Sequence, residues 1–283
     1  MIVIGKLHKI SGIRRGANLG FYIVSGLLLI IAILPLFLVL GYVIYEGLPG
    51  LNIQFFTLPT APTGIPGGMS NAIVGSLEIV GVASIISLPF GVGAGIFMSE
   101  MRMTSAQRIA RFLTDVLSGV PSIVVGLLAY AIVVRPLGGF SGYSGSVALA
   151  ILMIPVIARA TDQSMQQVSI SIREGGWAIG VRKAQVWLRI VLPTAIGGVV
   201  TGFLLAFSRV LGETAPLLFT AFGNQFWATN MTGPMAAVPL QIFVYALSPY
   251  SDWQQEAWTG SLVLVLIALL VTFLTRFLFR KKR

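Results

Sequence analysis

The sequence contains no cysteine and a single histidine, His8, and only 10% of its 283 residues are charged. The lack of cysteine excludes a disulfide framework and thiol chemistry. The single histidine excludes a histidine-based metal cluster, a histidine proton relay and a Ser–His catalytic dyad. The chain also lacks a G-x-x-x-x-G-K-[ST] segment, so we expect no catalytic residues, no metal site and no ATP hydrolysis by this chain alone.

What the chain has in abundance is apolar sequence, since 56% of its residues are hydrophobic. Soluble domains carry about 25% charged residues, and about 20 apolar residues cross a membrane as a helix. The composition therefore predicts an all-α polytopic membrane protein. The expected spans are Phe21–Tyr45, Asn71–Met98, Phe112–Val134, Gly145–Ala160, Ile190–Phe222 and Trp258–Leu278.

The basic residues lie in blocks between the apolar runs. Of the nineteen Lys and Arg residues, four precede the first span, three lie between spans two and three, five lie from Arg159 to Arg189, and five end the chain. These seventeen fall in the expected cytoplasmic segments or at their boundary with a span, and the exceptions are Arg135 and Arg209. Cytoplasmic loops of membrane proteins carry such an excess of Lys and Arg. The pattern predicts six transmembrane helices with both termini in the cytoplasm, and it argues against nucleic acid as the partner of the net charge of +10.

Arg209 and Glu213 are charged residues inside the fifth predicted span. A charged side chain at the centre of a bilayer costs roughly 2.5–3.5 kcal/mol on insertion scales, and such residues usually face a polar interior or pair with each other. Their spacing of four predicts that both lie on one helix face. This face is the first candidate for a functional site.

The polar segment between spans four and five carries a spaced motif. Glu174-Gly175-Gly176 is followed after three residues by Gly180, and after nine more by Ile190, Leu192 and Pro193. This pattern resembles the EAA signature of ABC-importer permeases, with Gly175 and Gly176 in place of two alanines. In that family the segment forms a helix–turn–helix knob that docks in a groove of a separate ATP-binding subunit.

A second, longer resemblance covers about residue 46 to the C-terminus. The segment Arg209-Val-Leu-Gly-Glu-Thr-Ala-Pro-Leu-Leu-Phe-Thr-Ala221 is similar to the fifth-helix signature of the A-type permease subunits of phosphate-specific transport systems. The segments Gly47–Asn52, Asn71–Ser76, Asn224–Trp227 and Asp252–Gln255 also fit that family. The resemblance implies the pore-forming permease subunit of an ATP-driven inorganic phosphate importer, which is not itself an enzyme.

The resemblance implies a type I ABC importer permease fold and a division of the chain. Residues 1–70 would form the cytoplasmic N-terminus, first transmembrane helix and outer loop, residues 71–279 a five-helix core that includes the coupling loop 161–193, and residues 280–283 a basic cytoplasmic tail. The implied partners are a C-type permease in a pseudo-symmetric heterodimer, a dimer of ATP-binding subunits that uses ATP and Mg, and an external phosphate-binding protein. The chain itself would bind no cofactor and would lie in the bacterial cytoplasmic (inner) membrane.

The membrane-embedded charges of the family correspond to Arg159, Arg209 and Glu213 here. Arginine offers a planar fork of donors that suits phosphate oxygens, so we hypothesise that Arg209 lies on the substrate pathway and exchanges between Glu213 and phosphate. Thr214 neighbours the pair and could donate a hydrogen bond. A static ion pair that locks helix packing remains the alternative for Arg209. For Arg159 the alternatives are a role at the inner mouth and simple snorkelling to the interface.

Two other functions stay open. An ion-driven secondary transporter would use Glu78 and Glu213 as carriers and would act without an ATPase subunit. An ABC permease for another oxyanion, such as sulfate or molybdate, would share the coupling motif. Transport measurements on the assembled and the isolated chain distinguish these functions.

Overall fold

The computed structural model describes residues 12–101, 104–228 and 230–279. Every regular element in these ranges is a helix, which confirms the predicted all-α class. Residues 1–11 of the predicted cytoplasmic N-terminus, Arg102 and the predicted basic tail 280–283 lie outside the described residues. The orientation of the termini and the division at residue 70 stay predictions.

The chain divides into two units, with the boundary between Glu46 and Gly47. The described part of the first unit belongs to helix α1 (Gly12–Gly47), which contains Pro35 and ends one residue past the boundary. An 18-residue window within its segment Gly16–Gly47 has a mean hydropathy of 3.0. At 1.5 Å per residue this segment is about 48 Å long, which exceeds the ~30 Å of a bilayer's hydrocarbon core. The predicted first span, Phe21–Tyr45, lies within it.

The second unit contains all the other described helices. In chain order they are α2 (Ile53–Thr57), α3 (Ser70–Glu100), α4 (Ser105–Gly119), α5 (Ser122–Ala129), the π-helical segment π1 (Tyr130–Val134), α6 (Arg135–Leu137), α7 (Gly142–Gln166), α8 (Ile170–Ala178), α9 (Lys183–Val186), the π-helical segment π2 (Trp187–Val191), α10 (Leu192–Val210), α11 (Ala215–Leu218), α12 (Val238–Ala246) and α13 (Ser251–Phe279). Besides α1, four stretches are long and apolar enough to cross a membrane: α3, α7, the run from α9 to α10, and α13 as far as Leu274.

The third predicted span, Phe112–Val134, is not one straight helix. The helices α4 and α5, with their continuation to Leu137, meet at an angle of 104°. Val120 at the break is extended, with φ −68° and ψ 131°. The cause is Pro121, because proline disfavours a helical backbone in the residue before it. The pair is therefore either a broken span or a re-entrant loop, which gives five or six membrane-crossing stretches in the described chain.

The fifth predicted span, Ile190–Phe222, is also too long. Helix α10 ends at Val210, and a turn leads into the short helix α11. The last predicted outer loop, from residue 223 to 257, contains the helix α12, which the sequence analysis does not anticipate. These breaks matter because the candidate charged residues lie beside them.

The core of the second unit is built around α3 and α7. Two glycines allow the helices to approach closely: a β-carbon on Gly91 would lie 2.7 Å from Ile157 Cβ, and one on Gly95 would lie 2.7 Å from the carbonyl oxygen of Ala158. Gly202 of α10 faces Ala160 on α7 in the same way. Small residues permit such contact between membrane helices. The buried core around this contact includes Ile79, Ala83, Leu149, Met153, Ala206, Val210 and Leu217.

At one end of this core, Asn71 joins segments that are distant in sequence. Its Oδ1 accepts a hydrogen bond from the Thr60 amide at 3.1 Å, and its Nδ2 donates to the carbonyl oxygens of Asn224 and Gln225 at 3.3 Å. Thr60 Oγ1 donates to the same Gln225 carbonyl at 2.6 Å. Asn71 is buried, and buried polar groups are stable when they are hydrogen bonded in this way. The two predicted outer loops are thus fastened to the start of α3.

Candidate functional site

Arg209 and Glu213 form an ion pair at the end of α10, where Arg209 Nε lies 3.7 Å from Glu213 Oε1. The helix ends at Val210, and the Glu213 amide donates to the Val210 carbonyl in the turn that follows. The prediction that both residues lie on one face of a continuous helix is therefore wrong. Gly212, a poor helix former, lies in the turn between them.

The ion pair is loose and accessible. The side chain of Arg209 is 49% exposed and that of Glu213 is 18% exposed. A separation of 3.7 Å exceeds the 2.7–3.2 Å of an N–H···O hydrogen bond, so the contact is ionic. The carbonyls at the end of α10 also favour a cation in the last helical turn. The guanidinium group is held in place by charge and keeps donors that can reach a further acceptor.

The turn that carries Glu213 is anchored by its neighbours. Thr214 Oγ1 donates to the Pro239 carbonyl at 3.4 Å, so its hydroxyl is directed at the start of α12 and not at the ion pair. Pro216 packs against Gly126 of α5, where an added β-carbon would lie 2.7 Å from Pro216 Cα. The position of the ion pair thus depends on close contact between α11 and the bent helix pair.

Arg159 lies on α7 and forms an ion pair with Asp115 of α4. Their side chains are 47% and 64% exposed. The sequence analysis puts Arg159 near the inner end of the fourth span, Gly145–Ala160, whereas α7 continues to Gln166. Arg159 is therefore paired across two helices. The ion pair with Asp115 therefore accounts for an arginine at this position without any snorkelling to the interface.

A second ion pair lies one turn further along the same two helices. Arg111 Nη2 is 2.9 Å from Asp162 Oδ2 and 3.0 Å from its Oδ1, and Gln166 Nε2 donates to Oδ1 at 2.6 Å. Within the described residues, Arg111 Nε is buried and lacks a hydrogen-bond partner. The two ion pairs line one side of a polar cavity of about 290 Å³ whose lining residues are Met98, Arg111, Thr114, Asp115, Arg159, Asp162, Gln163 and Gln166.

The sequence analysis missed three of these charged residues as site candidates: Arg111, Asp115 and Asp162. A signal for Asp115 was present, because a carboxylate inside the predicted span Phe112–Val134 is costly without a partner. No comparable signal existed for Asp162, since it follows the predicted end of the fourth span. The pairing itself joins positions 44 and 51 residues apart, which sequence periodicity does not encode.

The motif from Glu174 to Pro193 folds as helix, turn and helix. Helix α8 ends before Gly180, which has a left-handed backbone with φ +81° and donates its amide to the Trp177 carbonyl at 2.9 Å. Glycine adopts this conformation at no steric cost. After the turn come α9, π2 with Ile190, and the first residues of α10, Leu192 and Pro193.

The two glycines that replace the alanines of the motif have different surroundings. Beyond its chain neighbours and the backbone of its own helix, a β-carbon on Gly175 would meet no atom of the described residues within 4 Å. One on Gly176 would lie 2.9 Å from Val186 Cγ2 and 3.2 Å from Ile190 Cδ1. Gly176 therefore lets α8 pack tightly on the following helix, and Gly175 has no packing reason to be glycine.

The outer face of this helix–turn–helix is partly apolar. Glu174 is exposed, and near it the residues Trp177 and Ile179 are 41% and 78% exposed. Large apolar groups beside an exposed carboxylate are suited to a protein contact. We call the segment from Ile170 to Pro193 the coupling segment.

Comparison with known proteins places this architecture in a family. The family of binding-protein-dependent transport system inner membrane components matches residues 91–283. A phosphate transport system permease protein PstA from Yersinia pestis is 39% identical over 272 residues, which is 95% of this chain and 92% of the relative. The protein of the same name from Haemophilus influenzae is 40% identical and covers 95% of this chain and 100% of the relative.

Solved structures give the same fold. A chain of the inward-facing MetNI methionine ABC transporter aligns with a TM-score of 0.63 at 16% identity, and the alignment covers 74% of this chain and 93% of that one. A chain of an amino acid ABC transporter solved with histidines aligns with a TM-score of 0.54 at 20% identity over 74% and 91%. At these identities the likeness concerns the fold alone, and it confirms the predicted type I importer permease fold. Together with its helices of membrane-crossing length, these findings show that the chain is a multi-pass, non-enzymatic transport subunit that belongs to the PstA family of phosphate transport system permease proteins.

Proposed function

We propose that this chain is the pore-forming permease subunit of an ATP-driven importer of inorganic phosphate. The observation that carries the proposal is its similarity, over nearly its whole length, to permeases named for phosphate transport. The importer would lie in the bacterial cytoplasmic (inner) membrane. Its other subunits would be a C-type permease, two ATP-binding subunits and an external phosphate-binding protein.

Arg209 is the residue that we assign to phosphate on the pathway. Its side chain is half exposed and its contact to Glu213 is ionic without being a hydrogen bond. An anion that arrives can therefore take up guanidinium donors without first breaking a tight bidentate pair. Glu213 would hold Arg209 when no phosphate is present, and it would lower the local positive charge so that phosphate is not trapped. Thr214 would act indirectly, by fixing the turn to Pro239.

Arg159 is assigned to the inner mouth of the pathway. It lines the polar cavity together with Arg111, and each arginine is balanced by an aspartate. The exposed ion pair Arg159–Asp115 can open at small cost, because exposed pairs contribute only about 0–1 kcal/mol. Release of phosphate into the cytoplasm would then involve exchange of Arg159 between phosphate and Asp115.

The coupling segment would receive the movement of the ATP-binding subunits. Its exposed Glu174, Trp177 and Ile179 provide a charged and apolar face for docking, and Gly180 fixes the turn that shapes it. ATP binding would close the ATPase dimer and turn the cavity outward, and hydrolysis would return it inward. ATP and Mg would be used by the partner, since this chain has no phosphate-binding loop.

The proposal is tested by uptake of labelled phosphate into proteoliposomes that contain the four kinds of subunit. We expect uptake that requires ATP and the binding protein, that excess sulfate does not inhibit, and that stops when the ATPase is omitted. Uptake that continues without the ATPase would overturn the proposal in favour of a secondary transporter. Uptake of sulfate or molybdate in place of phosphate would overturn the assignment of the substrate.

A further inference from the structure

A buried ion pair joins the coupling segment to the helical core. Arg173 of α8 contacts Glu100, the last residue of α3, through Nη1. The side chains of these two residues are only 7% and 4% exposed. This distinguishes the pair from the ion pairs of the polar cavity, in which at least one partner is substantially exposed.

The other end of the Arg173 guanidinium group is bonded as well. Its Nη2 donates to the carbonyl oxygen of Met165 at 2.6 Å, and Met165 lies in the last turn of α7. The last carbonyls of a helix have no partner within the helix, and a basic side chain can satisfy them. One arginine therefore holds the ends of α3 and α7 from a third helix, α8.

The Glu100 carboxylate is also fixed from its own side, since Ser99 Oγ donates to Oε1 at 3.3 Å. A planar guanidinium group that bonds two acceptors through two different nitrogens has little freedom to rotate. Separating a buried charge pair leaves both charges without compensation, so such a pair resists opening. The contact therefore behaves as a stiff connection and not as an exchangeable one.

Its position along the chain links docking to the pathway. Arg173 directly precedes Glu174, which lies on the exposed face of the coupling segment. Glu100 is the last residue of α3, and Met165 lies in the last turn of α7. These two helices pack through Gly91 and Gly95, and α7 also carries Arg159. A displacement of α8 that keeps this contact must move the ends of α3 and α7 together.

We propose that Arg173 and Glu100 are positioning residues that pass the movement of α8 to α3 and α7. This inference rests on the proposed function, because it takes α8 as the element on which the ATPase acts. Neither residue contacts the substrate. Their role is to keep phosphate transport coupled to ATP hydrolysis.

The test is the ratio of phosphate transported to ATP hydrolysed in the reconstituted four-part complex. The principal variant is Arg173→Lys, which keeps the positive charge but has one terminal nitrogen in place of the two that bond Glu100 and Met165. Glu100→Gln is the second variant, and Arg108→Lys is the matched control, since Arg108 is exposed and bonds Ser105 within its own helix. We expect the ATPase to co-purify with all three variants. The ratio of phosphate transported to ATP hydrolysed is expected to fall at least tenfold for Arg173→Lys and Glu100→Gln and to stay unchanged for Arg108→Lys.

Two other results would contradict this inference, and a third would contradict the proposed function. If uptake and ATP hydrolysis fall by the same factor, the ratio is unchanged and the link has no role in coupling. If the ATPase no longer co-purifies, the two residues serve docking and the inference is wrong. If the wild-type complex transports no phosphate, the proposed function has failed, and that result is read before any variant is compared.

A second measurement leaves Arg173 and Glu100 unchanged. The chain has no cysteine, so Gly93→Cys on α3 and Ser171→Cys on α8 introduce the two sites in this chain that a spin label can modify; both positions are exposed. The chain is labelled before it is combined with its partner subunits. We expect the distance between the labels to stay the same with and without ATP in the assembled complex. A change in this distance would show that α8 moves independently of α3 and would overturn the inference.

Discussion

Gly126 on α5 lies so close to Pro216 on α11 that a β-carbon on the glycine would be 2.7 Å from Pro216 Cα. The atom in the way belongs to the backbone, so it cannot move as a flexible side chain does. The contact holds the bent helix pair against the turn that carries Glu213. The position of Glu213 therefore depends on glycine at residue 126, because a side chain there would push this turn away.

Gly126→Ala is expected to displace this turn and to lower phosphate uptake. Overpacking a close contact typically costs about 1–3 kcal/mol, which we expect as a lower unfolding temperature of the purified complex. Gly81→Ala is the control, because a β-carbon there would contact no described residue outside its own helix within 4 Å. Equal unfolding temperatures and uptake rates for the two variants would contradict the prediction.

Arg209→Lys is expected to lower the initial rate of phosphate uptake by tenfold to a hundredfold. The variant keeps the charge but loses the planar fork, and hydrogen bonds to charged groups contribute about 1.5–3 kcal/mol. Competition by sulfate, measured in the same assay, is expected to increase. Unchanged uptake with unchanged selectivity would exclude a bidentate role for Arg209 and would favour a static ion pair.

Asp115→Asn is expected to change stability little and transport strongly. The pair with Arg159 is exposed, so its loss is expected to change the free energy of unfolding by less than about 1 kcal/mol. Arg159 without its carboxylate is expected to hold phosphate longer and to slow its release, which lowers the maximal uptake rate. A large drop in unfolding temperature with normal uptake per folded complex would show that the pair is structural.

Gly175→Ala and Gly176→Ala are expected to have opposite effects on stability. Alanine favours a helix over glycine by about 0.5–1 kcal/mol, and Gly175 has open space around its Cα. At Gly176 the new methyl group would collide with Val186, which is fully buried. We expect Gly175→Ala to raise the unfolding temperature and Gly176→Ala to lower it. The reverse order would show that the packing of α8 on α9 differs from the one described.

The apolar runs predict the long helices well, because length and composition decide whether a segment can cross a membrane. They do not predict where a helix bends or stops. The sequence does contain helix-breaking residues at these places, namely Pro121 and Gly212 with Pro216. When hydropathy is averaged over a window of sequence, however, the apolar residues around them outweigh one or two such positions. Tertiary contacts, such as that between Gly126 and Pro216, decide the outcome at these positions.

The candidate site shows the same limit. The sequence identified Arg209 and Glu213 because both charges fall within one apolar run. It could not identify Asp115 and Asp162 as the partners of Arg159 and Arg111, because the pairs form between two helices. Local spacing reveals neighbours on one helix, whereas contacts between helices depend on how the helices pack.

The cavity between α4 and α7 is lined by two arginines and two aspartates, so their formal charges cancel. An array without net charge has a field that weakens more steeply with distance than that of a lone cation. An anion on the far side of the membrane is therefore not drawn towards this cavity, and it interacts with a single guanidinium group only on arrival. Such a lining favours quick passage over storage. If the cavity is the inner mouth of the pathway, as proposed, transport through it would depend only weakly on the ionic strength of the cytoplasm.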